Sequence, residues 1–343
     1  MKYTITLENT GQSFTADENE SLLDAALQAG IALPYGCRGG RCGDCMGRVL
    51  SGEIRYATPP SGISHEQMQQ GFALFCQARP ASDITLSASE IVTPAHIPPQ
   101  RMPCKVISLE PLNHDVMQVL LKLPENIRPQ FFAGQYLDIL QEDGERRSFS
   151  IANAPHNDEY IELHIRNVAG GEFTHYIFTQ LREQEILRIE MPLGSFCLNE
   201  TSPRPIIMMG GGTGFAPLKG MLEHAFHTHI ERPIHLFWGV RSLQDLYMAG
   251  LPEKWARKYP LFRFTPVLSE PLAEDQWTGE TGYVHEAVLR HYPDLGAFDV
   301  YMSGPPAMVY GARDTFMDHG APIEQLYSDA FEYNSLIGKA ANA

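Results

Sequence analysis

Residues 3–8 and 12–16 alternate between apolar and polar positions, the period of a half-buried strand. Residues 20–30 switch to a helical period, with Leu22, Leu23, Ala26 and Leu27 on one face, Ser21 or a neighbour as cap and Gly30 as stop. Residues 1–90 therefore read as a small α+β module. Pro94, Pro98, Pro99 and Pro103 crowd the stretch 89–103, which continues neither sheet nor helix easily and reads as a linker. From about 104 to 200 short strand-like segments (117–123, 136–140 and 160–166) are separated by Gly and Pro turns, as in an antiparallel β-barrel. Beyond about 204, apolar strands at 205–209, 234–238 and 298–302 alternate with helical stretches at 217–226 and 307–317, which predicts a parallel sheet with helices on its faces. The expected organisation is multidomain: 1–90, a linker at 91–102, a barrel at 103–202, an α/β domain at 203–335 and a tail at 336–343.

Composition narrows the function classes. The 343 residues are 43% hydrophobic and 20% charged, enough apolar material for folded domains. The net charge of −15, with no block of Lys or Arg, argues against nucleic acid and against an anionic membrane as partners. The strand-like start differs from the apolar block of a signal peptide, and no run of about 18 apolar residues occurs, so the expected location is the cytoplasm.

Four cysteines carry chemistry. Cys37, Cys42 and Cys45 have the spacing C-x4-C-x2-C, and Cys76 follows after 30 intervening residues, the ligand pattern of a plant-type [2Fe-2S] cluster. Three thiolates converging from one loop need positive φ and close approach, which Gly36, Gly39, Gly40 and Gly43 allow. Arg38 and Arg41 are placed to offset cluster charge or meet a partner. A structural zinc site is the competing reading, but zinc sites show paired short spacings. Cys104 and Cys197 read as small apolar residues.

Two further regions point to nucleotide cofactors. Arg147-Ser148-Phe149-Ser150 ends a predicted strand, and Gly170-Gly171-Glu172-Phe173-Thr174 lies where a helix N-terminus suits a pyrophosphate. Gly210-Gly211-Gly212-Thr213, with Pro217 beyond, follows an apolar strand and opens a helix. Ser303-Gly304-Pro305-Pro306-Ala307-Met308 ends a later strand. Together these strings resemble the R-x-[YF]-S, G-G-x-x-[ST], G-G-x-T-x-x-x-P and C-G-P-x-x-M motifs of the ferredoxin reductase flavoprotein superfamily.

The resemblance implies a β-grasp ferredoxin module, an FAD-binding antiparallel β-barrel and an NAD-binding α/β domain. It also implies site roles: Arg147 on FAD phosphate, Phe149 beside flavin or ribose, Ser150 at the reactive edge, and Gly171 and Thr174 on the pyrophosphate. Ser148 lies within the same FAD motif. Phe149 replaces the more usual Tyr, and Ser303 stands where many members carry Cys beside the nicotinamide. Ser150 and Ser303 are thus the expected catalytic residues. Phe331 is expected over the flavin. Glu270, after the third strand of the α/β domain, suits a ribose hydroxyl and repels a 2′-phosphate, so NADH is favoured over NADPH.

Cofactor chemistry then gives an electron route from NADH through FAD and the cluster to a protein acceptor. Within the superfamily the chain resembles CDP-6-deoxy-delta-3,4-glucoseen reductases, through Arg101-Met102-Pro103-Cys104, residues 147–155 and Trp277-Thr278-Gly279. That implies a sugar dehydrase as acceptor; a component of a bacterial aromatic-ring, phenol or methane oxygenase is the alternative. A free flavin or ferric reductase and an inactive ferredoxin-like carrier are the remaining readings.

Overall fold

The computed structural model describes residues 1–88, 97–128 and 130–330. It divides into two compact units, Met1–Pro98 and Pro99–Ala343. Phe331 lies outside the described residues. Among them, no helix is long and apolar enough to cross a membrane.

The first unit contains, in order, β1 (Lys2–Leu7), β2 (Ser13–Asp17), α1 (Leu22–Gln28), β3 (Met46–Ser51), β4 (Ile54–Arg55), α2 (His65–Gln69), β5 (Phe72–Leu74), β6 (Arg79–Pro80) and β7 (Ile84–Ser87). Five strands form one sheet in the order β2-β1-β7-β3-β5, with β1 and β7 parallel, and β4 pairs with β6. Ser21 caps α1 by accepting a hydrogen bond from the Asp24 amide at 3.0 Å. The apolar face of α1, including Leu22, Leu23 and Ala26, is fully buried against Ile5, Leu74 and Leu86.

The second unit opens with β8 (Gln100–Pro111), β9 (Val116–Lys122), β10 (Tyr136–Leu140), β11 (Arg146–Ser150), β12 (Ile161–Arg166), α3 (Glu172–Thr179) and β13 (Ile186–Leu193). The strands form an antiparallel sheet in the order β11-β10-β13-β8-β9-β12. It closes on itself through the Ile151–Leu163 bridge and the Ala152 amide donating to the Glu162 carbonyl at 2.8 Å. The structure corrects the proline-rich stretch at its far end: β8 starts at Gln100 and contains Pro103. The Val106 amide donates to the Glu185 carbonyl and its carbonyl accepts from the Gln184 amide, both just before β13, so alternation turns Pro103 the other way, beyond Lys105 where pairing with β9 stops. The missing N–H therefore costs no ladder bond.

The remainder comprises β14 (Ile206–Gly211), α4 (Phe215–His227), β15 (Ile234–Val240), α5 (Gly250–Lys258), β16 (Phe262–Leu268), β17 (Glu280–Thr281), α6 (Val284–His291), β18 (Asp299–Gly304), α7 (Pro306–Asp318) and β19 (Leu326–Ala330). All six strands are parallel, in the order β17-β16-β15-β14-β18-β19. Chain order reverses between β14 and β18, and open α/β sheets bind ligands in the crevice at that switch point. The central strands are buried on both faces, as helices on both sides require: Met208 and Trp238 pack in one core, Met209 and Phe237 in the other.

Candidate functional site

The cysteine loop between α1 and β3 is shaped by a few backbone positions. Positive φ occurs at Gly40 and Gly43, and also at the non-glycine Arg38, whereas Gly36 and Gly39 do not have positive φ. Gly36 is required by crowding instead, since a Cβ there would meet Asp44 Oδ2 at 2.2 Å and Cys42 Sγ at 3.5 Å. Arg38 forms an ion pair with Asp24 on α1, and its carbonyl accepts from Gln77 Nε2 at 2.8 Å. The loop is thereby tied to the residue following Cys76.

The sulfurs fall into two pairs. The Cys37 amide donates to Cys42 Sγ and the Cys42 amide to Cys37 Sγ, both at 3.4 Å, while the Gly39 amide donates to Cys37 Sγ at 3.3 Å. Cys45 and Cys76 form the second pair, both buried. The hydrogen bond from Cys42 draws Cys37 down to about 6, and Cys42 and Cys45 are pushed up by sharing a proton with their partners and by burial. Among the described residues, no three of these sulfurs lie within 4.8 Å of one another. Two separated pairs with amide donors suit a dinuclear cluster, one pair per iron, and do not suit a mononuclear tetrahedral zinc site.

On β11, Arg147 pairs with Glu145 and donates to the Arg146 carbonyl at 3.1 Å. Ser148 donates to Asp138 Oδ1 at 2.6 Å, and the Phe149 ring lies 6.0 Å from that of Phe173 on α3. Gly171 is the N-cap of α3 with no side-chain cap bond, so first-turn amides face outward. The Thr174 hydroxyl serves the turn itself, donating to the Gly171 carbonyl at 3.1 Å and accepting from the Val168 amide at 3.2 Å. An uncapped helix start near an arginine fits the phosphates of FAD.

The two glycine-rich turns flank the switch point and pack on each other. A Cβ on Gly214 would meet the Ser303 carbonyl oxygen at 2.1 Å, and one on Gly211 would meet Met308 Sδ at 2.5 Å. Gly212 and Gly304 have positive φ, and Trp238 Nε1 donates to the Gly212 carbonyl at 2.9 Å. Gly210 and Gly211 end β14, Thr213 lies in the short 3-10 turn, and Pro217 occupies the first turn of α4, where its missing N–H is harmless. Pro305 caps α7. Glu270 is exposed just past β16, its amide donating to the Arg241 carbonyl at 2.8 Å.

The barrel and the parallel sheet meet at Ser150, whose hydroxyl donates to Asp329 Oδ2 at 3.0 Å. Ser303 is fully buried, and its Oγ makes no hydrogen bond of standard geometry. Burial pushes the Asp329 carboxyl up to about 6, with Ser150 and, more loosely, Ser303 pulling it back. A buried hydroxyl held only loosely beside a carboxyl of raised pKa marks this junction as a place for a polar ligand.

Comparison with known proteins matches this arrangement module by module. Family models described as "2Fe-2S iron-sulfur cluster binding domain", "Oxidoreductase FAD-binding domain" and "Oxidoreductase NAD-binding domain" match residues 5–81, 103–197 and 208–314. CDP-6-deoxy-L-threo-D-glycero-4-hexulose-3-dehydrase reductase of Yersinia pestis is 39% identical over 331 residues, covering 96% of this chain and 99% of that protein. Terephthalate 1,2-dioxygenase reductase component 2 of Comamonas sp. is 36% identical over 331 residues, covering 96% and 98%. The chain belongs to the iron–sulfur flavoprotein reductases of the ferredoxin reductase superfamily. Among solved structures, the Amycolatopsis cytochrome P450 reductase GcoB superposes with a TM-score of 0.82 at 31% identity, covering 96% of this chain and 98% of that one. The protein is accordingly an NAD(P)H-dependent oxidoreductase with domains for FAD and a [2Fe-2S] cluster.

Sequence reasoning missed two residues at the reductase's central junction. Asp329, the penultimate residue of β19, lies beside Ser303 in register, a pairing visible only once the sheet is assembled. Arg166, at the end of β12, pairs with Asp115 at 2.7 Å, and its Nη1 lies 3.5 Å from where a Cβ on Gly212 would stand. A barrel arginine thus borders the nucleotide-side turn, a proximity no local motif encodes.

Proposed function

We propose that this reductase oxidises NADH in preference to NADPH and delivers electrons to a separate sugar dehydrase. The observation that carries the acceptor is the 39% identity to the Yersinia pestis dehydrase reductase along essentially both full chains. The likeness to the terephthalate dioxygenase reductase component supports an oxygenase as second reading. NADH supplies two electrons as hydride, FAD accepts them together and releases them singly, and the cluster carries one at a time.

In this reading Cys37, Cys42, Cys45 and Cys76 hold the cluster. Arg147 and the α3 amides hold FAD phosphates, with Ser148, Gly171 and Thr174 shaping the surrounding backbone and Phe149 packing beside the flavin. Gly210 to Thr213, Pro217, Gly304 and Pro305 form the nucleotide turns, and Ser150 and Ser303 meet the reacting edge. The test is anaerobic mixing with each class of acceptor. NADH oxidation stimulated by a CDP-hexulose dehydrase is the expected result; stimulation by a dioxygenase component alone transfers the protein to the second reading.

Glu270 sets nucleotide choice by favouring a free ribose hydroxyl and repelling a 2′-phosphate. Glu270→Arg is expected to raise the NADPH/NADH ratio of kcat/KM roughly tenfold or more, the worth of one charge-assisted hydrogen bond. An unchanged ratio removes Glu270 from the specificity argument.

Asp329 makes flavin reduction pH-dependent. Hydride brings negative charge toward the group beside Ser150, so a neutral carboxyl favours transfer and a carboxylate opposes it. With the carboxyl titrating at about 6, flavin reduction by NADH is expected to accelerate as pH falls through that value. In Asp329→Asn the inflection near 6 should vanish and the rate stay at the faster, acid-limb level. An identical inflection in the variant assigns the titration to another group.

A further inference from the structure

Lys219 on α4 is only 4% exposed, yet all three of its ammonium protons find acceptors. Nζ lies 2.9 Å from Glu162 Oε2, 3.0 Å from Glu223 Oε1 and 3.1 Å from the Ala152 carbonyl oxygen. The chain of bonds continues into the barrel. Glu162 Oε1 also accepts from Gln118 Nε2 at 2.8 Å and pairs with His164 Nε2 at 2.9 Å, and His164 Nδ1 meets the Tyr247 hydroxyl at 3.0 Å. Burial favours the neutral imidazole at His164; the arrangement that satisfies both ends has Nε2–H donating to Glu162 and Nδ1 accepting from Tyr247. Burial opposes the Lys219 charge, but Glu162 and Glu223 outweigh it and hold the ammonium above its ordinary pKa. Although burial alone would raise Glu162, His164 and Lys219 bring it down to about 2.

This network spans two sites. Lys219 lies two residues beyond Pro217, on the helix that the nucleotide-side turn opens, and Ala152 lies two residues beyond Ser150 on the flavin-side strand. Next to Lys219, a Cβ on Gly220 would come within 3.0 Å of the Asn153 carbonyl oxygen and 3.3 Å of that of Ile151. Helix α4 therefore lies directly on the backbone that carries the flavin motif. Apolar contact alone permits sliding along such a surface, whereas directional bonds to one carbonyl and one carboxylate fix the register.

We propose that Lys219 is a positioning residue: its bonds to Glu162 on β12 and to the Ala152 carbonyl, two residues past the end of β11, lock α4 onto the barrel beside the flavin motif and so set the alignment of nicotinamide with flavin. The inference rests on the proposed placement of those two cofactors. Its physical logic is that buried ion pairs add little net stability and are often replaceable by apolar residues, whereas hydride transfer is sensitive to displacements of about 1 Å.

Lys219→Met alone strands the buried Glu162 without its cation, whereas the half-buried Glu223 still reaches solvent, so the decisive variant is the double Lys219→Met/Glu162→Gln, studied as full-length holoenzyme. At unchanged FAD and iron content and unchanged NAD+ affinity, the rate of flavin reduction by NADH is expected to fall by roughly 10- to 100-fold, the sensitivity expected of misplaced reactants. The long-wavelength charge-transfer absorbance formed on mixing should weaken. Amide hydrogen exchange should rise in residues 215–227 and 151–153. A double variant with wild-type reduction rate, charge-transfer band and exchange overturns the proposal. So does one that only melts earlier while its FAD-loaded fraction is reduced at the wild-type rate. If NADH fails to reduce the wild-type flavin, the functional reading falls instead, and hydrogen exchange still decides whether the network holds α4 in place.

Discussion

Cys42→Ala is expected to reduce electron delivery to cytochrome c to background while NADH still reduces the flavin at the wild-type rate. Cys42 is 4% exposed, and its sulfur faces Cys37 across mutual amide hydrogen bonds, so alanine removes half of one sulfur pair. The first unit keeps its own apolar core around Leu22, Leu74 and Leu86, and the second unit has separate cores in the barrel and on both faces of the parallel sheet. With Cys42 as the proposed cluster ligand, its loss removes the exit for single electrons without removing the folds of the FAD and NAD domains. Stopped-flow reduction at the flavin band, cytochrome c reduction and the cluster's low-temperature electron paramagnetic resonance signal check the separation. Cytochrome c reduction at full rate with the cluster signal gone means that electrons leave directly from the flavin.

The modules were legible because each writes its own period into the sequence. Alternation marked β1 and β2, the Leu22–Leu27 face marked α1, and doubly buried apolar runs marked β14, β15 and β18. Local motifs also singled out the cysteines and both glycine turns, and the fold brings Cys37 to Cys42 and one glycine turn onto the other. Their physical reasons were less legible. Gly36 is imposed by Asp44 within the cysteine loop and Gly214 by the Ser303 carbonyl across the fold, contacts invisible to a reading that assigns these glycines to the cluster and to bound phosphate. Pro103 signalled a break, yet its strand runs on because its nitrogen faces the unpaired side of β8. Asp329, Arg166 and Lys219 escaped notice for the same reason. Each is an ordinary charged residue in its own segment, and its place at the junction of barrel and parallel sheet emerges only from the assembled fold.

Gly214→Ala tests that distinction between glycine for phosphate and glycine for packing. The added methyl would stand 2.1 Å from the Ser303 carbonyl oxygen, 2.5 Å from its carbon and 2.9 Å from the Gly304 amide nitrogen. All three are backbone atoms of β18 and its turn, so no flexible side chain can swing aside. Overpacking of this kind costs about 1–3 kcal/mol or more and must push the two turns at the switch point apart. The expected result is a lowered midpoint of thermal unfolding together with loss of NADH-driven flavin reduction, while dithionite still reduces both flavin and cluster. Gly39→Ala is the contrasting case: its nearest neighbours, the Cys37 carbonyl oxygen and Sγ, lie at 3.7 and 4.0 Å, and its φ is not positive. That variant should keep its cluster and its stability. If both substitutions are silent, the turns have room that these distances deny; if Gly39→Ala alone loses function, the cysteine loop rather than the switch point is the more tightly built of the two.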